Sequence, residues 1–481
     1  MSTSATTGFC RVTVVAPDSR VDVALPEDLP VADVHPEILR LTGGAQPVGT
    51  PTGYHLVRRD GTVLDGARTL AAQRVLDGEI LTLRPFAESL PPAVHDDVAD
   101  AVAAAVTGDR ALWNTRMLRA AGLTGAALLL VLLGLVLWNA DPARHDAHGL
   151  PGIVAGAVAV LLTAYAGVRA RVYRDRGSAV ALGLAAVPHL LIAGSGVIGP
   201  AAGEGAGRLQ FLLGCATVLI TSVVLVAVTP GGDAPFVATV VTSATGVLAT
   251  FGMILTGAAP SAAAAVCAVA AIGALAFLPA LSARAARLPI GYAAPHGTGD
   301  DLDAPRTGAD TAPVDAERVA ARARRGHELL LGLVGGCSAV VVASAAVLAF
   351  SAGPWAPALA LTAGLAMTLR ARLFRYTAQV VTVLGAGLAA LALLVLGLAL
   401  RPLPGGHGGG ASDIRTVWIT VAVAAVAALL TAVALIIPRK GLSPFWGRAS
   451  DIVESVVLLA LVPLCLAVLD VYATARGLAG S

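Results

Sequence analysis

Two groups of residues in this chain carry the side chains that acid–base or metal chemistry needs. The first is Asp141, His145, Asp146 and His148. Carboxylates and imidazoles so close together could share a metal ion or pass a proton. The plainer reading is a solvated turn, because "DPARHDAHGLPG" is rich in turn formers and joins two apolar segments. The second group is a set of single ionisable residues in apolar segments: His189 beside Pro188, Glu454 and Asp470. Such residues mark an ion or proton path when a partner sits at the same depth. His189 has no such partner in the pattern, and Glu454 and Asp470 fall near opposite ends of one segment. His189 reads as a neutral histidine bonded to a neighbouring helix, with a functional role as the alternative. "HGGG" (His407–Gly410) has the form of an oxyanion-hole motif, but no GxSxG accompanies it, so it reads as a flexible turn. No GxxxxGK[ST] phosphate loop is present. The five cysteines, Cys10, Cys215, Cys267, Cys337 and Cys465, form no CxxC and read as small core residues. The expectation is a chain with no catalytic residue, no cofactor and no metal.

The elements around these residues explain why. The chain has 481 residues, of which 56% are hydrophobic and only 13% charged. A soluble surface cannot be covered at that charge, so the class is an integral membrane protein. The first 25 residues are polar and strand-like, unlike a signal peptide. Eleven segments are candidate spans: Ala120–Trp138, Leu150–Val168, Ser178–Ile198, Leu209–Val228, Pro235–Leu255, Ser261–Leu281, Leu329–Phe350, Trp355–Leu369, Thr377–Leu400, Val417–Ile437 and Ile452–Tyr472. The eighth is short, about 22 Å at 1.5 Å per residue, so Arg370 and Arg372 must snorkel or the bilayer must thin. With the N-terminus in the cytosol, every basic cluster falls inside: Arg169–Arg176, Arg284–Arg325, Arg370–Arg375 and Arg439–Arg448. The odd count puts the C-terminus outside. The five tryptophans sit near predicted interfaces, as belt residues do. Residues 282–328 form a long inside loop, flexible at first, then a basic helix "VDAERVAARARRGHELL" leading into the seventh span. Gly152xxxGly156 and Gly332xxxGly336 have the spacing for close helix packing.

Residues 1–88 are different. "CRVTVVAP" and "RVDVALPE" are alternating strands around Asp18-Ser19. "LPVADVHPEILRLTGG" places Val31, Val34, Ile38 and Leu41 on one helical face, ended by Gly43-Gly44, with Pro36 expected to kink or delay the helix. "YHLVRRDGTVLDG" is a strand, an Asp60-Gly61 turn and a short strand, and "LDGEILTLRPF" supplies a turn and a closing strand. This ββαββ order resembles the ubiquitin-like β-grasp fold. The segment has no lysine and no diglycine after the last strand, so conjugation is not expected. Its net charge of −3 argues against nucleic acid or anionic lipid as its partner. Residues 89–118 link it to the bundle at 119–474. Val94, Val98, Val102 and Val106 recur every fourth residue, the apolar face of a helix, with Asp96, Asp97 and Asp100 near its start. That stripe packs on the chain's own bundle or domain, or docks a partner.

A ubiquitin-like domain, a linker reading "PAVHDDVADAV", eleven spans and a long loop after the sixth occur together in one family. The chain resembles the EccD family, a membrane subunit of type VII (ESX) secretion machinery, over essentially its whole length. That resemblance implies a non-catalytic scaffold in the cytoplasmic membrane. It implies partners EccB, EccE and the ATPase EccC, a second copy of the chain as a dimer, and membrane lipids. A secondary transporter with a regulatory domain is the alternative, and inverted repeats with a midplane polar site would favour it. A lipid-processing enzyme would need the Asp141–His148 cluster to be a site.

Overall fold

Along Phe9–Val15 every second side chain is buried: Cys10, Val12 and Val14 are at most 2% exposed. That is a strand with one face on a core (β1). The structure is a computed structural model and describes residues 8–16, 19–42, 54–85, 98, 114–140, 146, 149–200, 205–229, 231–288, 316–400, 409–440 and 444–479. The chain divides into two units, Met1–Trp113 and Asn114–Ser481.

In the first unit, β2 (Arg20–Pro26) pairs antiparallel with β1. β3 (Tyr54–Arg58) pairs antiparallel with β4 (Ile80–Pro85), and β4 runs parallel to β1. The sheet order is β2-β1-β4-β3. The helix α1 (Val31–Leu41) covers the inner face through Val31, Val34 and Ile38, which join Leu56, Leu81 and Leu83 in one core. Pro36 sits inside α1 without delaying its start. It lacks the N–H that would bond the carbonyl of Ala32, so one helical bond is missing. Asp77-Gly78 makes the turn before β4: Gly78 has φ +84°, and the Asp77 carboxylate accepts the Arg11 N–H at 2.6 Å. Gly43-Gly44 lie outside the described residues.

The second unit is helical. Its elements are α2 (Thr115–Asn139), α3 (Leu150–Arg171), α4 (Arg176–Ser195), α5 (Arg208–Val228), α6 (Ala234–Thr256), α7 (Pro260–Ala274), α8 (Leu278–Ala285), α9 (Ala316–Phe350), α10 (Trp355–Arg370), α11 (Thr377–Leu400), α12 (Gly409–Lys440), α13 (Pro444–Val468) and α14 (Val471–Ala479). Among the described residues nine helices are long and apolar enough to cross a membrane, ten if one bent pair counts as a span. The expected count of eleven is therefore not reached on length and composition. Two expected spans account for the difference. The sixth is broken into α7 and α8, which meet at 67°. Pro279, in the first turn of α8, starts a helix well but cannot continue one from α7. The eighth, α10, has only 16 residues and runs on into a 3₁₀ turn at Ala371–Leu373. One further reading changes. Gly409 and Gly410 of "HGGG" open α12 in place of a free turn, while His407 and Gly408 lie outside the described residues. The basic segment before the seventh span and the span itself form one continuous 35-residue helix, α9.

Small residues set the helix spacing. A Cβ on Gly332 would lie 2.6 Å from Val237 Cβ, and one on Gly336 2.5 Å from Val241 Cβ. Only glycine lets α9 sit this close to α6. A Cβ on Gly156 would meet Ala193 at an ordinary 4.0 Å, so that glycine imposes no such constraint.

Candidate functional site: arginine clamps and an intramembrane cavity

Three carboxylates at the ends of the helices hold the bundle through arginines. Asp175 precedes α4 and caps it, accepting the Ser178 N–H at 3.3 Å and the Ser178 hydroxyl at 2.6 Å. The same carboxylate receives Arg119 from α2 and Arg169 from α3. Burial pushes the Asp175 carboxyl up, but the hydrogen bonds from Ser178, Arg169 and Arg119 outweigh it and hold the group well below the usual carboxylate range. Asp233, before α6, is 1% exposed and takes both arms of Arg325 from α9, the second at 3.0 Å. Such a two-armed pair fixes orientation as well as charge. Glu454 on α13 accepts Arg372 at 2.7 Å and lies 3.9 Å from Arg370. Arg370 also donates to the Ile272 carbonyl on α7 at 3.0 Å, and Arg372 reaches Asp451 at 3.2 Å.

These contacts join the start of α2 to the start of α4, the lower turns of α9 to the start of α6, and the end of α10 to the start of α13. Arginines of three of the basic clusters, Arg169, Arg325, Arg370 and Arg372, thus find carboxylate partners at these helix ends. Arg370 is largely buried and bonds the Ile272 carbonyl, while Arg372 stays exposed and bonds Glu454. Asp175 and Asp233 were not singled out by the sequence reading. Their one signal is position: each is a lone acid directly before an apolar segment in a chain poor in acids.

His189 is fully buried, and its Nε2 lies 3.0 Å from the Leu130 carbonyl of α2. A carbonyl only accepts, so Nε2 carries the proton and donates. Nδ1 has no partner among the described residues. The residue thus ties α4 to α2, beside Gly134, where a Cβ would stand 2.9 Å from Pro188 Cβ. Asp470 ends α13 in a left-handed turn with φ +56°, and its carbonyl accepts the Thr474 N–H at 3.0 Å to start α14. Of the valine stripe only Val98 is described, and it is exposed; Val94, Val102 and Val106 lie outside the described residues. So do Asp141, His145 and His148. Among the described residues no three His, Cys, Asp or Glu side chains converge as metal ligands. None of the five cysteines is in a disulfide, and all but Cys267 are buried.

The second feature is an open cavity of about 920 Å³ lined by α4, α5, α6, α7 and α9. Its walls are apolar, with threonine and serine hydroxyls of α6 along one side and Arg208 at one end.

A four-stranded grasp-type domain and a many-helix apolar bundle define the class, a multispan membrane protein with a small N-terminal ubiquitin-like domain. Residues 118–478 match the family described as the EccD-like transmembrane domain, and residues 9–83 match that of YukD, a protein of the WXG100 protein secretion system. The chain belongs to the EccD-like family, which makes it a multi-pass inner-membrane subunit of type VII secretion. Similar proteins include the ESX-4 secretion system protein eccD4 of Mycobacterium tuberculosis, 28% identical over 501 residues and 98% of each chain. The fold is like that of protomer 1 of an ESX-3 core complex, with a TM-score of 0.57 at 21% identity over 97% of this chain and all of that one. It is also like a chain of a MycP5-free ESX-5 inner membrane complex, with a TM-score of 0.52 at 20% identity over 88% of this chain and 99% of that one.

Proposed function

We propose that the chain is a non-catalytic scaffold, holding the membrane assembly together and docking cytosolic partners through its ubiquitin-like domain. The partners are EccB, EccE and the ATPase EccC, with a second copy of the chain beside it. The N-terminus is cytosolic, the spans number eleven and the C-terminus is outside. Residues 1–88 are the docking domain, 89–118 the tether and 119–474 the bundle. The observation that carries this reading is where the charges go: Asp175, Asp233 and Glu454 each bind arginines from helices distant in sequence. Charge used in this way joins helices and leaves no carboxylate of the three free to move a proton. The domain has no lysine for conjugation. A tether near the bilayer keeps it at high effective concentration toward a neighbouring subunit, so a weak contact is occupied. The test is a pull-down from native membranes after removal of residues 1–88. The spans should insert while the ATPase is lost, and Val98→Asp with Val102→Asp should give part of that loss. Full recovery of the ATPase with normal secretion would sink the docking role. Reporter fusions after Gly149 and Gly408 should report outside, and fusions after Arg174 and within 300–315 inside.

A further inference from the structure

We propose that the open edge of β2 takes an added strand: an extended segment of a protein partner, reading apolar–any–apolar–acidic, pairs antiparallel with it and sets its acid opposite Arg20. The inference rests on the docking role above and names the surface and the kind of partner. The register decides which backbone groups are free. The Glu27 N–H bonds the Gly8 carbonyl at 2.9 Å, and the Ala16 N–H bonds the Ser19 carbonyl at 2.8 Å. Alternate residues of β2 between these points, Val21, Val23 and Leu25, therefore bond β1. Arg20, Asp22 and Ala24 turn their N–H and C=O groups the other way, and all three residues are exposed. The far edge of the sheet is closed: the Arg58 N–H bonds the Thr62 carbonyl, and the Leu64 N–H bonds the Leu56 carbonyl, each at 2.8 Å. An open edge is a template for another strand, and proteins blunt such edges with lysine, proline or a bulge. β2 carries one of these, Pro26, at its last position. That leaves Arg20 to Ala24 able to pair.

The side chains along the edge select the occupant. On the face toward α1, Val21 and Val23 are half-buried, and Val23 packs on the core of the domain. The Ser19 hydroxyl donates to the Thr42 carbonyl at 2.7 Å, so the last turn of α1 stands beside the start of β2. Leu41 on that turn is 41% exposed. An added strand lays alternate residues along this side, and apolar ones suit it. On the other face Arg20 is exposed and has no ion-pair partner among the described residues. The Asp22 carboxylate already accepts the Thr13 hydroxyl at 2.6 Å. The unmatched charge on the edge is thus positive and calls for an acid. A second copy pairing through β2 could offer Arg20 only an Asp22 that its own Thr13 engages, so the occupant is a segment of a different chain.

A short labelled peptide with threonine–valine–threonine–valine–glutamate at its centre should bind the full-length chain in mild detergent, read by fluorescence anisotropy. Arg20→Glu should weaken binding about tenfold, and a peptide with lysine in place of its glutamate should recover it in that variant. Ala24→Pro removes one outward N–H and leaves the bonds to β1 in place. It should abolish binding while hydrogen exchange in β1 stays as in wild type. Unchanged binding in Arg20→Glu and Ala24→Pro, or a charge exchange that recovers nothing, would overturn the edge assignment. A photo-crosslinker at Ala24 in native membranes should capture a segment of another protein that carries the apolar–any–apolar–acidic pattern. Capture of a second copy, or of this chain's own residues, would overturn the choice of occupant. The two readings fail separately. Loss of the ATPase on removal of residues 1–88, with full retention in both variants, would sink the edge and leave the docking role standing. Retention of the ATPase without residues 1–88 would sink the docking role itself.

Discussion

The ubiquitin-like domain and the bundle bury their interiors by opposite means. In the domain the core is made of large side chains on alternating positions: Ile38, Leu56, Leu70 and Leu81 are at most 1% exposed. In the bundle alanine is the commonest fully buried side chain among the described residues, as at Ala265, Ala268, Ala360 and Ala366, each wholly buried. The difference follows from the solvent. Water expels Leu81 from the surface, and area removed from water stabilises the domain. Lipid is as apolar as leucine and expels nothing, so helices must gain from close contact and from polar ties. Small residues allow the first, and the arginine clamps supply the second.

Breaking a tie should therefore do most harm in the bundle. Arg325→Ala leaves Asp233 buried without its cation, and the cost should be about 3 kcal/mol, the lower end of the range for broken buried pairs because Arg325 is 39% exposed. Thermal unfolding in detergent would measure it. In the domain the largest comparable effect should come from volume. Leu81→Ala should cost about 2–4 kcal/mol, seen as faster hydrogen exchange throughout β1 and β4 with the bundle unaffected. Gly336→Val reverses the logic, since adding carbon should destabilise: α9 must move off α6, at about 1–3 kcal/mol. If a valine there proved neutral, close approach would not be what holds the bundle.

The smallest effect is a pH dependence confined to the domain. Burial, with the nearby His55, lowers the His35 pKa from its ordinary value. The unfolded chain then binds more protons than the folded one between the lowered value and the usual histidine value near 6.5. Stability in that window should rise with pH, and it should fall as pH drops below about 6.5. His35→Gln should flatten this slope in hydrogen-exchange measurements on β3, while the bundle keeps its own response. A slope that survives His35→Gln would place its origin elsewhere.

Local pattern made much of this legible. Alternation marks β1, and 3.6-residue spacing marks α1 with its Val31, Val34 and Ile38 face. Apolar runs mark most of the spans. What pattern missed was set by contacts between residues far apart in the chain. Nothing local says that Arg372 will find Glu454, 82 positions away, or that Asp233 will receive Arg325, 92 positions away. The eighth span is short by its length alone, and pattern sends its flanking arginines to water, whereas Glu454 and the Ile272 carbonyl receive them. The break between α7 and α8 was readable in principle from Pro279, but an apolar run outweighed it. His189 could be assigned a bond to a neighbour but not which one, because Leu130 contributes only its backbone.

In mechanical terms, α9 is a lever. At 1.5 Å per residue its 35 residues make a rod of about 52 Å, well beyond the roughly 30 Å thickness of the hydrocarbon core. The turns from Ala316 to Glu328 precede its apolar span and continue from the long loop. Arg325, gripped by Asp233, sits where the two parts meet and serves as the fulcrum. Beyond it, Gly332 and Gly336 bear directly on α6 with no side chain between to act as a cushion. A sideways force on the projecting turns therefore arrives, as torque and without slack, at the wall of the cavity.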